Sequence, residues 1–314
     1  MGAKAKLQQE IRQLAQQKNA IIFAHNYQPP EIQEVADYIG DSFGLCQKAQ
    51  QIETKVILFC GVRFMAETAA ILNPDKRVLM PEPSARCPMA AQLPAKLIQE
   101  AKTKHPGLPV ILYINTTAEA KAEADVICTS SNLCTILDRL KQDRVLFGPD
   151  GNMAEYARHI CGYDVVPIPD HGFCHVHVTF SFDPQIMELQ REYPKAKLLV
   201  HPECDWDLQS RADLIGSTGQ MLEYARKSSA STFIIATEVD LTSRLQRELP
   251  QKTFIPALKY AICKAMKKIT LEKVKTSLLH DQFHITVPES IAKRAKTAIQ
   301  RMINLTTSTE TNSA

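Results

Sequence analysis

Apolar and polar positions fall into blocks along this chain, and the blocks recur. Three apolar runs, 20-AIIFAHNYQ-28, 109-PVILYINTT-117 and 197-KLLVHPEC-204, end in polar residues and start about 88 residues apart. Short continuous apolar runs predict buried strands, and polar groups at their carboxyl ends are candidates for function. Downstream, the pattern Ala-Asp-x-x-x-[Asp/Thr/Ser]-[Ser/Thr] occurs as 36-ADYIGDS-42, 124-ADVICTS-130 and 212-ADLIGST-218, each start 88 residues after the last. The segments 59-FCGVRFMAE-67 and 147-FGPDGNMAE-155 align at the same offset, while the third copy, 235-IATEVDL-241, has lost most of the motif. A last set, 78-VLMPEPSARC-87, 166-VPIPDHGFC-174 and 253-TFIPALKYAIC-263, runs strand, proline, short loop, cysteine.

A repeat of this length predicts one supersecondary unit used three times. Helices expected at 7–18, 89–104 and 184–193 open the units, and strands and helices then alternate, which predicts α/β layering with parallel sheets. The fold class is therefore three pseudo-equivalent α/β/α units around a pseudo-threefold axis. The boundaries expected are 1–88, 89–175 and 176–263, with 264–303 packing back on the first unit and 304–314 a disordered tail. Residues 289–303 read as an amphipathic helix.

Composition narrows the function. Apolar residues make up 45%, charged residues 23%, and the net charge is +3, which gives no basic stripe for nucleic acid. No window approaches the apolar length of a membrane span, and the first helix lacks the apolar core of a signal peptide. Nine cysteines without a secretion signal predict a reducing, cytoplasmic setting. Cys46, Cys60, Cys128, Cys134 and Cys161 are expected as core thiols. No dinucleotide or phosphate-loop glycine motif is present.

Cys87, Cys174 and Cys263 occupy equivalent positions, so they are expected to converge at the axis. Three thiolates without an obvious fourth ligand suit a zinc ion with an open position or a four-iron cubane, and cysteines from three separate units favour the cubane. Core thiols left by duplication are the bland alternative. Around them the strand ends offer His25 and Tyr27, Tyr113 and Asn115, and His201 and Glu203, each pair at i and i+2 and so on one face of an extended segment. The pairs Asp41-Ser42, Thr129-Ser130 and Ser217-Thr218 carry the helix N-cap signature and could present anion-binding helix starts. His177 is three residues past a candidate thiolate and could face substrate, whereas His171 and His175 read as surface groups or as groups that support the ligands from behind.

The stretches 25-HNYQPPEIQEVADYIGDS-42, 61-GVRFMAETAAILNP-74, 113-YINTTAEAKAEADVICTSSN-132, 172-GFCHVH-177, 201-HPE-203, 216-GSTG-219 and 263-CKAMKKITLEKV-274 resemble the quinolinate synthase family over nearly the whole chain. The resemblance implies an enzyme of NAD biosynthesis that condenses iminoaspartate with dihydroxyacetone phosphate, releasing phosphate and water. It implies a [4Fe-4S] cluster on Cys87, Cys174 and Cys263, its open iron acting as a Lewis acid. The substrate-binding positions it implies are His25, Ser42, Tyr113, Asn115, Ser130, His177, His201, Glu203 and Thr218. Glu203, His201 and Tyr27 would be catalytic, and an aspartate-oxidising enzyme would supply the imine. Arg63 stands where the family often has His, 85-ARCPMA-90 departs from the usual surroundings of the first cysteine, and Lys-Ala-Met after Cys263 lacks the C-x-x-C of some members. A hydroxy-acid dehydratase and a non-catalytic iron-sulfur protein are the other readings of the same residues.

Overall fold

A computed structural model describes residues 2–180 and 184–307. The twelve strands among them are β1 Ala20–His25, β2 Tyr38–Gly40, β3 Val56–Cys60, β4 Arg77–Leu79, β5 Val110–Tyr113, β6 Val126–Cys128, β7 Arg144–Gly148, β8 Asp164–Pro167, β9 Lys197–Val200, β10 Leu214–Ile215, β11 Thr232–Ala236 and β12 Thr253–Pro256. They form three four-stranded parallel sheets with one repeated order, β2-β1-β3-β4, β6-β5-β7-β8 and β10-β9-β11-β12. The inner strands are covered on both faces, which is why Val-Ile-Leu-Phe-Cys of β3 is buried at every position. In each sheet the chain moves out from the first strand to one edge and then crosses to the other side. Such a switch leaves a crevice beyond the carboxyl ends of the inner strands.

The Ala-Asp motif has a structural duty that the repeat alone did not disclose. Asp37, Asp125 and Asp213 accept from the backbone N–H of Ile22, Val110 and Leu198 at 2.8, 2.7 and 2.8 Å. Each carboxylate thus ties the start of a short edge strand to the central strand beside it, an N–H that burial would otherwise leave costly.

Several expectations are corrected. The helix expected at 89–104 is two helices, Pro88–Ala91 and Ala95–Lys104, separated at Pro94, which has no N–H to continue the first. The long helix Glu289–Thr307 buries Ala295, Ala298, Ile299, Met302 and Ile303. It lies chiefly against β6 and helices Ala118–Lys121 and Leu133–Leu140 of the second unit, and only secondarily against helix Arg63–Leu72 of the first. Only helix Leu271–His280 packs mainly on the first unit, against helix Ala3–Gln17 and β3. Positions 304–307 continue the long helix instead of starting a tail; positions 308–314 lie outside the described residues. Cys134 and Cys161 are not separate thiols but a disulfide, their Cα atoms 5.1 Å apart. Cys46, Cys60 and Cys128 are buried free thiols. No helix among the described residues is long and apolar enough to cross a membrane.

Candidate active site

The crevices of the three sheets meet in one small cavity. Its wall carries His25 and Tyr27 from the end of β1, Tyr113 and Asn115 from β5, and His201 and Glu203 from β9. Ser42, Ser130 and Thr218, His177, and Cys87, Cys174 and Cys263 line the same cavity. The three candidate cysteines and every candidate substrate-binding or catalytic residue are therefore brought to one place. Hydrogen bonds across the axis join the units there, from Asn26 Nδ2 to Thr218 Oγ1 at 2.6 Å and from Ser217 Oγ to Asp41 Oδ2 at 3.3 Å.

Glu203 is the most densely partnered group. Its Oε1 accepts from the Tyr113 hydroxyl at 2.6 Å and the Asn115 amide at 3.4 Å, and its Oε2 lies 2.8 Å from His177 Nδ1. Burial alone would raise its pKa, but His177 and His201 beside it, with the His177 and Tyr113 hydrogen bonds, outweigh burial and hold the carboxyl below its usual range. His177 Nε2 and the Tyr27 hydroxyl both meet Thr237 Oγ1, at 2.8 and 2.6 Å. The His177 and His201 rings stack with centroids 4.6 Å apart.

The two strand-end histidines are alike. The backbone N–H of Tyr27 donates to His25 Nδ1 at 3.2 Å, and that of Glu203 to His201 Nδ1 at 3.3 Å. A ring nitrogen that accepts a backbone N–H carries no proton, so each neutral imidazole holds its hydrogen on Nε2 as a donor. Burial first, and for His25 the neighbouring His201, pushes both pKa values from 6.5 down to about 3. Burial and the Glu203 charge raise Tyr27 and Tyr113 well above the ordinary phenol value, so both stay protonated.

These shifts predict an acid dependence. The unfolded chain protonates both imidazoles near 6.5, while the folded chain resists until about 3. Between those values the unfolded state binds more protons, so stability is lost as pH falls, on the order of 1.4 kcal/mol per pH unit for each histidine. Denaturant unfolding of wild type and His25→Asn, followed from about pH 7 to about pH 5, should differ in slope by up to about 1.4 kcal/mol per pH unit; an unchanged slope would mean that His25 does not enter the fold neutral.

Helix Ser42–Gln51 begins at Ser42, with Asp41 accepting from Gly44 N at 2.8 Å, and helix Thr218–Lys227 begins at Thr218 behind a Ser217-Gln220 capping box. Both fulfil the N-cap expectation. The Thr129-Ser130 pair does not: its helix starts at Leu133, because Asn132 Oδ1 accepts from Thr129 N at 2.6 Å and the Thr129 and Ser131 hydroxyls meet at 2.8 Å, closing a turn first.

Thr237 and Glu238 are site residues that the sequence reading missed. Glu238 is fully buried, accepts from Cys263 N at 3.1 Å and pairs with Lys267 at 2.6 Å. They follow β11 directly, so asking what stands at the end of every inner strand would have found them. His171 and His175 are exposed, as expected of surface groups.

Cys87, Cys174 and Cys263 each reach the cavity from a short loop past the outer strand of a different sheet. Burial raises all three thiols, Cys87 to about 12; nearby Cys263 adds to the rise at Cys87, Glu203 and the other two thiols at Cys174, and Glu238 at Cys263. Three neighbouring thiols, costly to ionise by themselves, fit a polynuclear metal group whose positive charge would stabilise the thiolates. A second donor set overlaps them, since the ligand atoms of Cys174, His177 and Glu203 lie within 4.8 Å of one another.

Comparison with known proteins agrees with this arrangement. The family model described as quinolinate synthetase A protein matches residues 9–304. A protein of Methanothermobacter thermautotrophicus named quinolinate synthase is 51% identical over 300 residues, covering 95% of this chain and 98% of its own. Proteins of the same name from Methanocaldococcus jannaschii and Thermococcus kodakarensis are 46% and 47% identical, over 95% and 96% of this chain and 98% and 99% of their own. With a match of this length placed on a threefold α/β frame and a shared cavity, the chain belongs to the quinolinate synthetase A family of enzymes.

Proposed function

We propose that the chain condenses iminoaspartate with dihydroxyacetone phosphate to give quinolinate, phosphate and water, in the biosynthesis of NAD. The observation that carries this reading is the ionised Glu203 carboxylate, held among phenol, amide and imidazole groups beside three thiols. The reaction requires a proton to be taken from a carbon next to a carbonyl, oxygens to be protonated as they leave, and several anionic groups to be held at once.

Each need has a candidate group. A substrate oxygen that took up the Tyr113 hydroxyl and the Asn115 amide would leave Glu203 Oε1 open to accept a carbon-bound proton, making Glu203 the base of the triose isomerisation. His201 and His25 would donate from Nε2 to substrate oxygens, and Tyr27 would assist loss of water, its hydroxyl kept in place by Thr237. Ser42 and Thr218, the first residues of ten-residue helices, would hold carboxylate or phosphate oxygens together with Ser130, since a helix start favours negative charge. His177 would orient Glu203.

Cys87, Cys174 and Cys263 would hold a [4Fe-4S] cluster, which when bound supplies a Lewis-acidic iron without a protein ligand. Because Cys174, His177 and Glu203 come together, one mononuclear metal such as zinc is the second reading. An aspartate-oxidising enzyme would supply the unstable imine. We place the enzyme in the cytoplasm, where thiols are kept reduced and free to bind metal.

Anaerobic purification, iron and sulfide counts, visible and EPR spectra, and a quinolinate assay with dihydroxyacetone phosphate and freshly generated iminoaspartate test the whole reading. Four irons with quinolinate formed are expected. A cluster without product would overturn the reaction, and stoichiometric zinc would overturn the cluster.

A further inference from the structure

We propose that Gln33, Lys121 and Gln209 are positioning residues, each aiming one strand-end functional side chain by pinning the two backbone carbonyls that flank it. The three positions stand 88 residues apart, and each is the last residue of a four-residue helix: Pro30–Gln33, Ala118–Lys121 and Trp206–Gln209. Gln33 Nε2 donates to the carbonyls of Asn26 and Gln28 at 3.0 and 2.8 Å, on either side of Tyr27. Gln209 Nε2 donates to those of Pro202 and Cys204 at 2.9 and 2.6 Å, on either side of Glu203. Lys121 Nζ donates to Ile114 at 2.7 Å and to Thr116, on either side of Asn115. All three side chains are at most 1% exposed.

The chain must leave each strand sharply if two side chains, two residues apart, are to face the axis. Its carbonyls then turn inward, where no water reaches them and each needs a donor. One buried donor shared by two carbonyls meets that need and also fixes their separation, and with it the direction of the residue between them. The residues held between the clamped carbonyls differ in chemistry, phenol, amide and carboxylate, while the clamp geometry is the same. That constancy separates the clamp from the chemistry it serves.

The second unit uses an ammonium where the others use an amide. Burial lowers the Lys121 pKa to about 8, and Glu67, whose Oε2 accepts from Ala118 N at the start of the same short helix at 3.3 Å, partly offsets that cost. Nζ also lies 5.2 Å from the centroid of the Phe64 ring. The clamp itself needs only two donor hydrogens, which Gln also offers.

The inference rests on the proposed reaction only for its kinetic assay. Lys121→Met is expected to lower kcat about 10- to 100-fold with a smaller change in KM for dihydroxyacetone phosphate. Lys121→Gln, which gives the second unit the donor of the other two, should restore at least about half of wild-type kcat, even with a lower Tm from the weakened Glu67 interaction. Hydrogen exchange of the amides at 113–117, measured by mass spectrometry, should quicken in Lys121→Met and stay near wild type in Lys121→Gln. Wild-type kcat and exchange in Lys121→Met would overturn the proposal, as would a Lys121→Gln enzyme tenfold slower than wild type. If Lys121→Met does not fold, the Lys121→Gln result decides. If the wild type forms no quinolinate, the reaction reading fails and the exchange comparison decides the clamp alone.

Discussion

Glu203→Gln should leave the fold intact and cut quinolinate formation by about 100- to 10,000-fold, the range over which a positioned general base acts. The substitution keeps the shape of a side chain that is almost fully buried between β5, β9 and the Cys174 loop, so no cavity opens. What it removes is the negative charge and the lone pairs that accept a proton. An amide oxygen can still receive the Tyr113 hydroxyl, so melting temperature and metal content should remain near wild type. The split between an intact spectrum and lost turnover separates a base from a structural carboxylate. Turnover at the wild-type rate would take Glu203 out of the mechanism and leave the strand-end histidines as the proton acceptors to test.

Cys87→Ser, Cys174→Ser and Cys263→Ser are each expected to lose bound iron, visible absorbance and activity together, with activity falling below about 1% of wild type. A hydroxyl occupies nearly the place of the thiol, but it is a harder donor, and soft thiolates are what hold iron-sulfur groups. Cys46→Ala is the control: it is buried on helix Ser42–Gln51, outside the cavity lining, with its thiol pushed up to about 12 by burial. It should keep full iron content. Loss of iron in Cys174→Ser, His177→Ala and Glu203→Gln alike, with Cys87→Ser and Cys263→Ser unaffected, would move the metal to the overlapping Cys174, His177 and Glu203 set.

Much of this was legible because a buried parallel strand must be apolar along its length and polar at its end. β1, β5 and β9 announce themselves as apolar runs, and the residues at or just past their carboxyl ends are the site pairs. The constant spacing then ties Cys87, Cys174 and Cys263 together. What stayed hidden depends on tertiary placement. Nothing in the spacing of Cys134 and Cys161 says that they meet. Asp37, Asp125 and Asp213 were visible as a repeated letter, but their work on the strand N–H groups required knowing which strand lies next to the short edge strand. Thr237 was missed because the third copy had lost the motif by which its neighbours were recognised. The N-cap reading of Thr129 failed through a local competition, Asn132 turning back on the chain before the helix could start. The long helix Glu289–Thr307 showed its apolar stripe plainly, yet a stripe does not name the surface it will cover.

The three thiols follow the last strand of each sheet, at positions 87, 174 and 263. Ribosomal synthesis runs from the amino terminus at roughly 5–20 residues per second, so a nascent chain carries Cys87 and Cys174 for several seconds before Cys263 exists. The first two units can fold during that interval, but the third corner of the thiol triangle is supplied only when the third unit is almost finished. Loading of any group that needs all three is thereby a late event in the life of the polypeptide, and a chain truncated within its third unit would be a two-thiol species open to oxidation.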